Sequence, residues 1–459
     1  MRIFFVFFVF TLLIGQLPLP VESRSNKDPR QNTIRLVTDP ETLDLLKQIG
    51  NPILNAANLS PDRVQFHVVL DSQINAFALL GNKIIFNSGL LLAVDKADEF
   101  AGVMAHEVAH LTAGHHIQLQ SEAESLSIKT LITIAAGIAA GLASQNEDLA
   151  MAIYTGGQAA AKSAILESIR QKETQADRMA IRYLAKAGYA PEGLPGFLEK
   201  IEQANRLVNQ PAPYLITHPI TDQRILESRE IASTLPRHFK KHPIDDIALQ
   251  RVRLKLIAGT TTDPNRIAAL WQEKLKNPDL TTDQKAILAY GIALAFRYAG
   301  LLPESIRILD QLDTEWPNDA YLLRERGLTH LENGNTQQAI NNLNAALTQK
   351  PNHPDLRYHL AFAHKESNNL ETAANLLRKI TVENPEQARA FYMLGVVEGQ
   401  RKKMGQSHLA LARYNKRIAQ PQSAIWHYKQ ALLQFGTGSI EFPIIQSEMK
   451  RLKEPLKAK

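Results

Sequence analysis

From about residue 283 onward the sequence repeats itself with a period of 34 residues. Small residues recur at this interval, and so do prolines. The recurring positions are Ala293, Gly327, Ala361 and Gly395; Ser305, Ala339 and Ala373; and Pro317, Pro351 and Pro385. Small residues suit places where the two helices of one repeat approach closely, and prolines suit places where a helix ends. The pattern predicts helix pairs stacked in a row, each burying its apolar side against the next.

A period of 34 residues with this pattern is typical of tetratricopeptide repeats. A last copy is offset, because Ala412 and Ala424 keep the 12-residue spacing between small positions after an apparent insertion near residues 399–407. We therefore expect three regular repeats and one irregular, capping unit, which together form an α-solenoid over residues 266–459.

The first residues resemble an export signal. A basic start is followed by an apolar run from Ile3 to Ile14 and a small residue, Ser23. This pattern predicts a cleaved signal peptide at residues 1–23 and a periplasmic protein. An uncleaved membrane anchor is the alternative, although the apolar run is short for a membrane span.

Composition narrows the possible partners and ligands. The chain has no cysteine, so a metal site must use His, Asp or Glu. The formal net charge of +6 favours anionic membrane surfaces or acidic partners. We expect no nucleic acid, and peripheral membrane contact remains open.

Residues 24–265 have a mixed character that predicts an α+β, mostly α-helical domain. Residues 64–71 and 82–89 are rich in β-branched and aromatic residues and predict strands of a small sheet. We interpret the second, with Ile84, Ile85 and Phe86, as an edge strand that pairs with extended substrate, an ordinary sheet edge being the alternative. The apolar residues 130–143 predict either a buried helix or one dipping into a membrane surface.

A helix over residues 95–114 carries the densest cluster of chemical groups. Phe100, Val103, Met104, Val108 and Leu111 form its apolar stripe. His106 and His110 are one turn apart on the same face, so both imidazoles can reach one zinc ion. In such an H-E-x-x-H motif, the intervening Glu107 is the general base that transfers protons during peptide hydrolysis.

A catalytic zinc needs a third protein ligand, for which the sequence offers two candidates. His116 would fit a metzincin arrangement, but that arrangement needs glycine where this chain has Ala113. Glu173, in a helical segment with Asp177 one turn later, is the other candidate. Asp177 could then accept a hydrogen bond from a ligating imidazole.

Four segments, in order, resemble the motifs of gluzincin peptidases typified by the heat-shock protease HtpX and the CAAX prenyl proteases. They are "NAFALLGNKIIFNSGLL", "ADEFAGVMAHEVAH", "ETQADRMAIRYLAKAGYAP" and "ITHPITDQRI", within about residues 60–230. The resemblance implies a zincin-type domain with one zinc per chain, bound by His106, His110 and Glu173. It also implies that Glu107 is the base and that Asp177 orients a ligand.

Within the last motif, we expect His218 to approach the zinc. It would either stabilise the oxyanion or fill the open metal position until a partner moves its loop. A structural histidine fixed by Pro219 is the alternative. Arg224 is expected to form a structural salt bridge with a helix carboxylate. We expect His115 and His116 at the exposed end of the helix.

The order of an export signal, a gluzincin domain and tetratricopeptide repeats resembles that of periplasmic quality-control peptidases, and this resemblance implies a periplasmic zinc endopeptidase and chaperone. It would act on unfolded or stalled outer-membrane proteins and contact the β-barrel assembly machinery through its repeats. The alternative is a repeat-based scaffold whose peptidase site is latent.

Overall fold

The computed structural model describes residues 35–79, 81–115, 159–206, 213–235 and 246–453. The chain divides into two compact units, Met1–Arg253 and Leu254–Lys459, slightly before the predicted boundary at residue 265. The predictions for the signal peptide, for residues 130–143 and for His116 lie outside the described residues.

The first unit contains helices around one small sheet. Its strands are β1 (Gln65–Val69), β2 (Ala76–Leu79) and β3 (Lys83–Asn87). Its helices are α1 (Pro40–Ala56), α2 (Ser88–Ala93), α3 (Ala97–Thr112), α4 (Ala159–Ala187), α5 (Gly193–Asn205), α6 (Pro213–Thr217) and α7 (Asp222–Thr234). Helix α8 (Asp246–Thr260) contains the division between the units.

The sheet corrects the prediction for residues Ile84, Ile85 and Phe86. The strand order is β1-β3-β2, so β3 is the central strand, parallel to β1 and antiparallel to β2. Ile84–Phe86 are buried, and a continuous apolar run is typical of a strand covered on both faces. Because neighbours occupy both sides of β3, it is not an edge strand and cannot accept an added substrate strand.

The free edge lies instead at β2. The outer side of β1 is partly covered, since Val37 N donates to Val68 O and Leu70 N donates to Arg35 O, both at 2.8 Å. Within the described residues, no strand pairs with the outer side of β2.

Helix α3 is the central helix of the first unit and confirms the predicted helix. Every residue of the predicted apolar stripe is buried, and α1, α4 and α5 pack around it. Asp98 and Glu99 in the first turn favour this start electrostatically. The helix ends at Thr112, and Gly114, with φ +68°, turns the chain away from the helix axis. Helical spacing and burial therefore fix the position of the H-E-x-x-H motif.

The second unit consists of helices, most of which form pairs. They are α9 (Pro264–Leu275), α10 (Thr282–Tyr298), α11 (Leu302–Gln311), α12 (Ala320–Glu332), α13 (Thr336–Gln349), α14 (Pro354–Glu366), α15 (Leu370–Glu383), α16 (Ala388–Gln400), α17 (Met404–Arg417), α18 (Pro421–Phe435) and α19 (Glu441–Lys453). The predicted solenoid of helix pairs is confirmed.

The small residues lie at the helix crossings that the period predicts. A Cβ added at Gly327 would lie 2.8 Å from the side chain of Leu343 on the second helix of the same pair. Ser305 Oγ donates to Ala293 O at 2.7 Å between α10 and α11. Larger residues at these crossings would separate the helices.

The prediction of an insertion near residues 399–407 is wrong. Residues 401–403 form the turn between α16 and α17, and Ser407 Oγ donates to Gly395 O at 2.7 Å. This contact repeats the one between Ser305 and Ala293. Residues 282–417 therefore contain four regular pairs, and the irregular end is α18 with α19. Ser407 lies 34 residues after Ala373 and continues the column of Ser305, Ala339 and Ala373.

Among the described residues, no helix is both long enough and apolar enough to cross a membrane.

Candidate metal centre

The first two predicted ligands project from α3. His106 is fully buried, and its Nε2 lies 2.9 Å from Nε2 of His110, one turn later. Glu107 lies between them in sequence and is also buried. The helical geometry thus points two imidazole nitrogens at one point.

Helix α4 brings the third predicted ligand to the same point. Glu173 Oε2 lies 3.3 Å from His106 Nε2, and Glu173 Oε1 lies 3.3 Å from His110 Nε2. Glu173 is buried, and α3 and α4 pack along each other. Two nitrogens and one carboxylate therefore converge, a combination that zinc accepts.

His218, which follows α6, completes the cluster. Its Nδ1 lies 3.3 Å from His106 Nε2 and 3.2 Å from Glu173 Oε2. One ligand atom from each of His106, His110, Glu173 and His218 lies within 4.8 Å of the others. The other nitrogen of His218, Nε2, lies 3.4 Å from Glu107 Oε1. The predicted approach of His218 to the other ligands is thus present in the geometry.

Electrostatics favour a positive charge at this point. Burial by itself lowers the pKa of His106, but Asp177 and Glu173 outweigh it and raise that pKa to about 10. Burial by itself raises the pKa of Glu173, but His218 and Arg224 hold it well below its usual range. Burial lowers the pKa of His110, which favours the neutral imidazole that a metal binds.

Two buried atoms beside the cluster also indicate that a metal ion or another group binds here. Glu107 Oε1 and His218 Nε2 have no hydrogen-bond partner among the residues that the structure describes. Buried polar atoms are normally satisfied, so such atoms point to a group or water that belongs there. The residues fit a metal ion with an adjacent water or substrate.

Asp177 and Arg224 stabilise the ligand histidine His106 and the loop of His218 by hydrogen bonds and ion pairs. Asp177 Oδ1 lies 2.9 Å from His106 Nδ1, on the side opposite the ligand nitrogen. Arg224 donates to both oxygens of Asp177, at 2.7 and 2.8 Å, and to Pro219 O at 2.6 Å. Arg224 therefore pairs with a carboxylate of α4 and also ties down the loop that carries His218.

Ile84, Ile85 and Phe86, in contrast, contribute core packing through the central strand. Their side chains are buried, and Phe86 packs against Phe100 of α3 with ring centroids 5.1 Å apart. Their packing therefore helps to hold α3 in position.

Sequence reasoning missed two groups near the site. Tyr214 is fully buried, its ring lies 4.8 Å from that of His218, and its hydroxyl has no partner among the described residues. Its spacing of four residues before His218 is the one signal that could have indicated this contact.

The second missed group is His115. The prediction of an exposed position is wrong, because His115 is 2% exposed and packs against His110. The left-handed turn at Gly114 places it there. A glycine at the end of the helix was the available signal.

Comparisons with known proteins agree with this description. Residues 40–232 match Peptidase family M48, and residues 290–354 and 330–395 match tetratricopeptide repeat families.

Similar proteins include the beta-barrel assembly-enhancing protease of Yersinia pestis, 28% identical over 291 residues, which cover 63% of this chain and 58% of that protein. The protein of the same name from Escherichia coli (strain K12) is 27% identical over 312 residues, 68% of this chain and 62% of that protein. The mitochondrial metalloendopeptidase OMA1 of Schizosaccharomyces pombe is 26% identical over 207 residues, 45% of this chain and 57% of that protein. The chain thus spans about three fifths of the length of these curated relatives.

Proposed function

We propose that this chain is a zinc-dependent endopeptidase for unfolded protein chains, because residues 40–232 match Peptidase family M48 and the following residues match tetratricopeptide repeats. The observation that carries the proposal is the convergence of His106, His110, Glu173 and His218 beside Glu107.

His106, His110 and Glu173 would hold the zinc ion. When bound, zinc supplies Lewis acidity, which polarises the scissile carbonyl and makes a neighbouring water more acidic. A set of two histidines and one glutamate is typical of catalytic zinc in peptidases.

Glu107 is the general base. Its buried carboxylate lies beside the ligand cluster, since Glu107 Oε1 is 3.4 Å from Nε2 of His218. Glu107 takes the proton from the attacking water and later gives it to the leaving amine.

His218 regulates this site. With Nδ1 turned toward the ligand atoms and Nε2 toward Glu107, it occupies the space of a fourth ligand and of the substrate carbonyl. A partner that moves the loop 218–221 would free both the position of the fourth ligand and the space for the substrate carbonyl. Arg224 donates a hydrogen bond to Pro219 O and so restrains that loop.

The substrate binds as an extended strand along the outer side of β2. Main-chain hydrogen bonds to an edge strand select an unfolded backbone more than particular side chains. This replaces the predicted pairing with β3, whose two sides are occupied.

The repeats bind the partner or substrate. Tyr290, Arg324, Tyr358 and Tyr392 occupy one position of the 34-residue period. Tyr290 and Arg324 are buried, whereas Tyr358 is half-buried and Tyr392 is 48% exposed, so the last two can contact a partner. Aromatic side chains are among the types that dominate binding sites.

The cellular setting is proposed from the relatives. Two of them are named as beta-barrel assembly-enhancing proteases. By analogy, this chain would act in the periplasm, exported by a cleaved signal peptide. It would work beside the β-barrel assembly machinery as peptidase and chaperone for unfolded or stalled outer-membrane proteins.

The closed position of His218 favours one alternative, a repeat-based scaffold with a latent peptidase site. Comparing Glu107→Gln with Tyr392→Ala in cells separates the two functions. If outer-membrane protein assembly fails only with Tyr392→Ala, the scaffold is favoured.

The main test is zinc content by elemental analysis, together with casein cleavage. Wild type should hold about one zinc per chain and cleave casein. Glu107→Gln should keep its zinc and lose activity by about 10²–10⁴-fold, whereas Glu173→Ala should lose the zinc. Wild type without zinc, or cleavage unchanged in Glu107→Gln, would contradict the proposal.

A further inference from the structure

His115 lies behind the second ligand, on the side away from the metal. Its Nδ1 is 2.9 Å from His110 Nδ1, and its Nε2 is 3.3 Å from Gln175 Oε1. His110 turns its other nitrogen, Nε2, toward His106 and Glu173. Three side chains thus form a line that starts at a ligand and ends at an amide on α4.

We propose that His115 and Gln175 are positioning residues that hold the proton of His110 on Nδ1 and so keep its Nε2 free to bind the metal. The inference rests on the proposed metallopeptidase function and deepens it. Neither residue is placed in contact with metal or substrate.

The direction of the hydrogen bonds follows from elimination. To bind metal through Nε2, neutral His110 must carry its proton on Nδ1 and donate it. His115 Nδ1 lies in this direction, 2.9 Å away, and must therefore accept. His115 then carries its own proton on Nε2 and donates it to Gln175 Oε1, which accepts.

The reverse direction would disable the site. If Gln175 turned its amide nitrogen toward His115, that amide would donate to His115 Nε2. The proton of His115 would then move to Nδ1 and face His110 Nδ1. His110 would have to place its proton on Nε2, where the metal binds. The amide orientation of Gln175 therefore decides whether His110 is a ligand.

The two ligating histidines are supported differently. His106 Nδ1 faces the carboxylate of Asp177, whereas His110 Nδ1 faces a neutral imidazole. A carboxylate raises the basicity of a ligating imidazole more than a neutral acceptor does. A neutral support for His110 fixes its orientation without adding a further negative charge to a site that already holds Glu173 and Asp177.

The backbone at the end of α3 places His115 next to His110. Gly114 adopts φ +68°, a backbone conformation that side-chain-bearing residues rarely adopt, and His115 folds back beneath the last turn of α3. Gln175 lies between Glu173 and Asp177 on α4 and reaches the same region from the facing helix.

The test uses the full chain with Glu107→Gln, so that zinc binding is measured without proteolysis. His115→Leu removes the acceptor but keeps similar bulk, and His115→Asn keeps an acceptor near the Nδ1 position. The measurement is the zinc dissociation constant from competition with a chelator, with circular dichroism of the metal-free chain as the control for folding.

We expect His115→Leu to weaken zinc binding by about 10–100-fold, and His115→Asn to recover most of this loss. Gln175→Leu should weaken binding in the same direction, and Gln175→Glu should not. Unchanged affinity in His115→Leu would overturn the inference. Equal weakening in His115→Leu and His115→Asn would also overturn it, because packing would then matter and not the acceptor.

The outcome for the parent chain keeps this inference separate from the proposed function. If the Glu107→Gln chain binds no zinc, the metallopeptidase proposal itself fails. If that chain binds zinc and the His115 variants bind it as tightly, only the positioning role fails.

Discussion

At the scale of single residues, the proposed gate of the site is one histidine. His218 lies within 3.3 Å of two other ligand residues and 3.4 Å from Glu107. We expect His218→Ala to raise casein cleavage by about tenfold or more, which corresponds to removal of ~1.4 kcal/mol of closing free energy. The measurement is the initial cleavage rate at matched zinc content. An unchanged rate would exclude a gating role, and a lower rate would favour oxyanion stabilisation.

A second prediction concerns the buried ion pair of Asp177 and Arg224. Asp177→Asn keeps the shape but leaves a buried guanidinium with less negative charge around it. Unfolding by denaturant should show a loss of about 3–5 kcal/mol. Zinc binding should also weaken, because His106 loses its carboxylate partner. The control is Glu227→Gln, whose partner Arg178 is half exposed, and which should cost under about 1 kcal/mol. Similar losses in both variants would contradict this argument.

At the scale of elements, α3 and α5 pack backbone to backbone. A Cβ at Gly102 would lie 2.6 Å from Leu194 N. Gly102→Ala should therefore separate the two helices and destabilise the first unit by about 1–3 kcal/mol. Gly196→Ala on α5 is the matched control, since nothing lies within 4 Å of the added Cβ. It should stabilise the helix by up to about 1 kcal/mol. Equal effects of the two variants in thermal unfolding would contradict this packing.

The free edge at β2 gives a second prediction at this scale. Asn87 N donates to Asn75 O, and the bonds of an antiparallel pair alternate, so Ala78 directs its N–H away from β3. Ala78→Pro removes that N–H, while Ala78→Val keeps it. We expect a higher KM for casein only with Ala78→Pro, at unchanged zinc content. An unchanged KM would argue against substrate pairing along β2.

At the scale of the whole molecule, the second unit depends on a buried carboxylate. Glu325 Oε1 lies 2.9 Å from Lys255 and 2.6 Å from Arg324, and Oε2 lies 2.7 Å from Arg297. Burial by itself raises the pKa of Glu325, but these three cations outweigh it and hold the pKa far below its usual range. Because the folded state lowers this pKa, the carboxylate stabilises folding above the unfolded-state pKa near 4.5, and this contribution is lost as the pH falls below it.

We therefore expect the melting temperature of the second unit to fall steeply below about pH 4.5. Glu325→Gln should lose about 3–5 kcal/mol of stability at pH 7 and show a weaker dependence on acid pH. Glu273→Gln removes a carboxylate from an exposed pair with Lys276 and should change neither. Calorimetry of the full chain across this pH range is the measurement. A wild-type pH profile equal to that of Glu325→Gln would contradict the assignment.

The sequence by itself determined what short-range spacing can encode. Helical periodicity fixed α3 and the common face of His106 and His110, and the 34-residue period fixed the helix pairs. These features could be predicted because they depend on residues a few positions, or one repeat, apart. The motifs also placed Glu173, Asp177 and His218 near the ligands, although no distance followed from them.

Only the tertiary structure decided which surfaces meet. The strand character of β3 was predicted correctly, but its central position in the sheet was not. Strand order depends on contacts between segments that are separate in sequence. The burial of His115 against His110 and the orientation of His218 toward both Glu107 and the other ligands followed from packing of α3, α4 and α6. Such contacts join residues up to 112 positions apart, as His106 and His218 are, and no local pattern specifies them.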